Sequence, residues 1–205
     1  MTTCRWILLG AAFFFMVSFC LIFLKTIIRK GKKDYAAGKG KISSGVIYSF
    51  TGAMSPIKKE SAYLHLPTYA AGMIFHLGTF FGFFWLVILF FNVIIWPWFH
   101  WISALVLVVT GIMGFSILIK RIVFHKLRSM SNPDDYFSNL LVTGFQFFVA
   151  AALIWNRAAN PLFIYSACLL LYIPVGKLKH VVYFFTSRIF LGKFYGKRGV
   201  WPAEK

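Results

Sequence analysis

Residues 63–85 read YLHLPTYAAGMIFHLGTFFGFFW, and the fold follows from what stands on either side of His76 in that stretch. From Leu66 to Ile95 the chain carries no Lys, Arg, Asp or Glu. A run of that length exceeds the ~20 residues a helix needs to cross the hydrocarbon core, so it predicts a tilted or overlong membrane helix. An imidazole inside such a helix is expensive in hydrocarbon, and an intramembrane ionisable residue marks a functional site.

Working outward, four further apolar runs have the character of spans. The expected helices cover residues 6–24, 66–95, 102–119, 137–155 and 162–183. A basic loop, 25–62, follows the first, and a mixed aromatic and basic tail, 186–205, lies along the interface after the last. The first run is expected to be a retained helix, because no small-residue cleavage site precedes the basic residues after it. The three tryptophans of Trp96-Pro97-Trp98-Phe99-His100-Trp101 read as an aromatic belt, with His100 an interfacial side chain.

Charge orients the bundle. The loops after helices one and three hold nine and four Lys or Arg, and the inner end of helix five with the tail after it holds seven, twenty in all, against Arg5 and Arg157 on the other side. That asymmetry predicts an all-α membrane protein of five helices, N-terminus outside and C-terminus cytoplasmic, in one domain spanning 1–205.

Composition excludes several classes. With 60% hydrophobic residues, 13% charged and a mean hydropathy of +0.75, the chain has too little polar surface for a soluble domain. The net charge of +17 belongs to topology and to anionic lipid headgroups, with docking of a soluble subunit as an addition, and not to nucleic acid. No internal repeat of the transporter kind is present. Cys4, Cys20 and Cys168 lack metal-ligand spacing and are expected to be buried small hydrophobes.

Of the five histidines, only His76 lies well inside a span, while His180 falls near the inner end of helix five. Helix two starts where helix five ends, so the two imidazoles share a depth and can oppose each other across the bundle. Opposed neutral imidazoles with apolar walls suit a haem b, with Gly72, Gly78 and Gly82 leaving room beside His76. The alternative is a pair of histidines bonded to backbone or to Thr79. His65, eleven residues before His76, suits an alternative ligand, a quinone headgroup pocket or a solvated boundary position. His125 reads as a surface residue.

Phe75-His76-Leu77-Gly78, Pro174-Val175-Gly176-Lys177-Leu178-Lys179-His180, and the loop from Lys120-Arg121 through Arg128 to Asp134-Asp135 together carry a resemblance. The chain resembles the gamma subunit of respiratory nitrate reductase and its wider family. That family includes the membrane cytochrome b subunits of heterodisulfide-reductase-like and sulfite-reduction-associated complexes. The resemblance implies a multi-pass protein of the prokaryotic inner membrane that passes electrons between membrane quinone, menaquinone in particular, and a cytoplasmic iron–sulfur or flavin subunit. It implies His76 and His180 as axial ligands of haem iron. The two ligands of the family's outer haem fall here on Leu86 and Leu162, which implies one haem b per chain. Arg121, Arg128, Lys177 and Arg188 become candidates for haem propionates, and Lys58 and Lys59, with His65, for the rim of a quinone site. No cysteine cluster or carboxylate pair is present to perform terminal chemistry. Two other functions fit the residues: a haem-free membrane anchor or assembly subunit, and a membrane enzyme acting on a lipidic substrate through His65 and His76.

Overall fold

The computed structural model describes residues 2–28, 35, 37–56 and 63–202, which are helical almost throughout, with no strand among them. In chain order the helices are α1 (Thr3–Ile28), α2 (Ile42–Phe50), α3 (Leu66–Phe91), α4 (Pro97–Val123), α5 (His125–Ser129), α6 (Pro133–Ile154), α7 (Ala159–Tyr172) and α8 (His180–Lys197). Four of these, α1, α3, α4 and α6, are long and apolar enough to cross a membrane, and α7 with α8 would make a fifth as a broken span.

The boundaries depart from the sequence expectation where local chemistry overrides hydropathy. Pro97 sits in the first turn of α4, where its missing N–H costs nothing, so the aromatic belt is already helix. Asn132 caps α6 in a reciprocal capping box with Asp135, and Pro133 follows directly. These residues start α6 before the apolar run does. The largest difference is at the fifth helix, expected to run unbroken over 162–183. It stops at Tyr172 and gives way to turns over residues 173–176 and a single 3-10 turn, Lys177–Lys179, before α8 starts at His180. Pro174 cannot donate to a helix ladder and disfavours helix in the residue before it, and Gly176 adds a flexible backbone. The 14 residues of α7 rise only about 21 Å, short of the ~30 Å hydrocarbon core.

The chain divides into two compact units: residues 1–16 with 67–178, and residues 17–66 with 179–205. In the first unit α4 and α6 pack closest. Gly111 faces the Phe147 ring and Gly114 faces Phe75 and Thr143, and a Cβ at either would fall within 2.8 Å of its neighbour. Small residues let membrane helices approach where hydrocarbon provides no solvent-driven attraction between them. The core is apolar and aromatic, with Trp85, Phe145, Leu107 and Leu162 fully buried.

The second unit is built on α2 and α8, which touch backbone to backbone. A Cβ on Gly45 would lie 2.4 Å from both the Gly192 carbonyl oxygen and the Gly196 Cα, and one on Gly192 would lie 2.5 Å from the Val46 Cα. Lys39 and Gly40 donate their backbone N–H groups to the Lys197 carbonyl at 2.8 and 3.2 Å, and the Ser49 hydroxyl donates to the Arg188 carbonyl at 2.9 Å. Trp201 closes the end of the unit against Tyr48 and Tyr195, ring centroids 5.6 and 4.6 Å apart.

Gly192→Val forces α2 and α8 apart and destabilises the second unit by about 1–3 kcal/mol, read as faster limited proteolysis between residues 37 and 56. Gly38→Ala is the control, because a Cβ there meets nothing within 4 Å among the described residues. Equal protection of Gly192→Val and wild type would disprove the backbone contact.

Candidate functional site

The face of α3 that carries His76 is set by what its neighbours bury. Phe75, Gly78, Gly82, Trp85 and Leu86 turn into the first unit, and His76 is exposed beside Met73, Leu77, Phe80 and Phe84. The imidazole therefore points out of the unit's core, with its ring centroid 6.1 Å from that of Phe75. Gly72, one turn earlier, is the one glycine of α3 that packing does not require: a Cβ there would meet nothing within 4 Å among the described residues. At Gly78, by contrast, a Cβ would fall 2.1 Å from the Thr110 hydroxyl, and at Gly82 3.0 Å from the Phe145 ring. Those two glycines lie in close helix contacts.

His180 is the first residue of α8, and it too is exposed. His76 belongs to the first unit and His180 to the second. His65 is exposed just before α3, in the second unit. Lys58 and Lys59 lie outside the described residues. His100 is half-buried, its Nδ1 3.3 Å from the Trp96 carbonyl and its ring 5.1 Å from that of Trp85. His125 is exposed, with Nδ1 3.5 Å from the Arg128 guanidinium. The cysteines differ from expectation: all three are free, Cys4 is half-buried, and Cys20 and Cys168 are exposed on their helices. Among the described residues no group of three or more His, Cys, Asp or Glu side chains could hold a bare metal ion.

Arg121, a propionate candidate by sequence, has a structural partner. Its guanidinium lies 3.4 Å from the Asp135 carboxylate and donates to the Ser131 hydroxyl at 3.0 Å. Lys177 forms a second ion pair with the same carboxylate. Asp135 also accepts the Asn132 backbone N–H at 3.0 Å, so one nearly buried acid ties the ends of α4 and α6 to the segment after α7. Arg128 remains exposed. At the opposite end of the first unit, Arg5 donates to the Asn92 side chain and lies over the Phe90 and Phe163 rings, 6.0 and 5.6 Å from their centroids. This joins α1 to α7 and to the loop after α3.

Leu86 and Leu162 pack in the interior of the first unit. Leu86 is 6% exposed and Leu162 0%, and both belong to one core cluster with Trp85 and Phe163. On the α3–α4 side an open groove of about 340 Å³ is lined by Ile74, Leu77, Gly78, Phe81, Val106 and Thr110.

No family model, no curated protein and no solved structure matches the chain.

One residue that sequence reasoning passed over is Gln146 of α6. It is fully buried, and its amide nitrogen donates to the Phe75 carbonyl at 3.0 Å and to the Thr79 hydroxyl at 2.9 Å. Its amide oxygen accepts from the Thr110 hydroxyl at 2.7 Å. Thr79 in turn donates to the Phe75 carbonyl at 2.8 Å. A lone glutamine in an otherwise apolar run was the available signal, since an amide at that depth needs polar partners.

Asp135→Ala removes two charge partners and half a capping box. It lowers the stability of the first unit by about 1–2 kcal/mol, the surface exposure of Lys177 keeping the figure small. Thermal unfolding in detergent reads the loss. Arg121→Gln, which leaves Lys177 in place, loses less, and equal losses would contradict the shared-carboxylate arrangement.

Proposed function

We propose that this chain is a membrane haem b subunit of a respiratory redox complex, with His76 and His180 as the axial ligands of a single haem. On this reading it passes electrons between membrane quinone and an iron–sulfur or flavin subunit on the cytoplasmic side of a prokaryotic inner membrane. The observation that carries the proposal is the placement of His76: an accessible imidazole in mid-span, one turn from a glycine that leaves open space beside it. His180, exposed at the start of α8, supplies the second nitrogen donor.

A bound haem b supplies reversible one-electron transfer through its iron. The chain's own residues bind it and shape its surroundings. His76 and His180 would hold the iron, Gly72 would leave room for the macrocycle beside His76, and the apolar side chains of Met73, Leu77 and Phe80 would line that face of α3. Leucine, which cannot ligate iron, stands at both positions where the resemblance would put the ligands of a second haem, and Leu86 and Leu162 are packed in the core, which supports the reading of one haem per chain. Arg121, paired with Asp135, serves the fold before any propionate, and Arg128 is the freer candidate. The haem-free anchor is the second reading. It is favoured by the second unit, whose described residues include eight Lys and Arg and no Asp or Glu, a surface fit for an acidic subunit with or without haem.

The expected result is one haem b per chain by pyridine haemochrome, with a reduced-minus-oxidised spectrum lost in His76→Ala and in His180→Ala and retained in His65→Ala. A preparation that keeps its partner subunits yet contains no haem would leave the anchor in its place.

A further inference from the structure

The polar network around Gln146 does more than satisfy itself. The Phe75 carbonyl that receives the Gln146 amide belongs to the peptide bond joining Phe75 to His76. A carbonyl only accepts, so the amide nitrogen faces α3 and the amide oxygen faces Thr110. Gln146 of α6 thereby ties two points on one turn of α3, the Phe75 carbonyl and the Thr79 hydroxyl, while Thr110 of α4 ties Gln146 from the other side.

The turn needs such a tie. The close contacts of Gly78 with Thr110 and of Gly82 with Phe145 restrict the rotation of α3 sterically, but apolar contacts have no direction of their own, and α3 has no strongly polar face to set its rotation. A single buried polar group, by contrast, fixes register because only one arrangement pairs it. We propose that Gln146 is the positioning residue for His76: by holding the Phe75–His76 peptide it fixes the rotation of α3 and so the direction in which the imidazole leaves the helix. The consequence for haem rests on the function proposed above; the orientation of His76 does not.

The decisive variant is Gln146→Met, which keeps the length and apolar volume of the side chain and deletes both donors and the acceptor. Its neighbours retain local partners: Thr79 still donates to the Phe75 carbonyl, and Thr110 to the Leu107 carbonyl at 3.1 Å. Chain labelled with ¹⁵N-histidine, dithionite-reduced in lipid nanodiscs, reads the imidazoles directly, with His76 assigned by its loss in His76→Gln. Gln146→Met should shift or broaden the His76 ring resonances and leave those of His100, in the same unit, in place. Thr110→Val, which spares both bonds to α3, should leave His76 unchanged. Haem retention on dilution should fall about tenfold in Gln146→Met, the lower end of what removing an outer-shell partner costs a ligated metal. His76 resonances that coincide with wild type in folded Gln146→Met would overturn the proposal. If that variant does not fold, Gln146→Asn, whose amide falls one carbon short, takes its place, and His76 resonances unmoved there overturn the proposal equally. A wild-type protein without haem would refute the cytochrome function while the resonances still decide the positioning role.

Discussion

Hydrocarbon offers a polar group no hydrogen bond, so every donor and acceptor at membrane depth must find its partner within the protein. Helices answer that demand for the backbone, and the long spans of this chain follow from it. Side chains must answer it one at a time. Where they do, the bundle gains fixed points that apolar packing alone cannot supply.

Those fixed points fall at three levels of the first unit. At one end Asp135 collects Arg121, Lys177 and the cap of α6. At the other, Arg5 is held by Asn92 and two phenylalanine rings. Between them Gln146 joins α3, α4 and α6. His76 lies on the turn governed by the middle level, so the residue read as functional and the residue that fixes the helix occupy opposite sides of one peptide.

Hydropathy and charge made the spans legible, because a long apolar run has one cheap fate in a membrane. The break at Pro174 was written in the sequence as well, in a proline followed two residues later by glycine. The run of apolar residues on either side of them pointed to an unbroken span. α2 could not be read. ISSGVIYSF combines serine, glycine and β-branched residues, all weak helix formers, and its helix owes its existence to the backbone of α8, contributed from far along the chain. His76 was legible as an ionisable group in a span. Its outward direction was not, since a helix apolar on every side carries no periodic signal of which face is inward. Gly72 and Gly78 looked alike on paper, and only the position of Thr110 separates the one that leaves space from the one that closes a contact.

The partnership of α2 with α8 also imposes an order on biosynthesis. About 130 residues separate Phe50 from His180, so at ~5–20 residues per second α2 leaves the ribosome roughly ten seconds before its partner exists. Nine residues are too few to hold a helix in water alone. The nine residues of α2 therefore gain their helical partner only when α8 has been made. The glycine contact of α2 with α8 can therefore close only in a chain translated through Gly196.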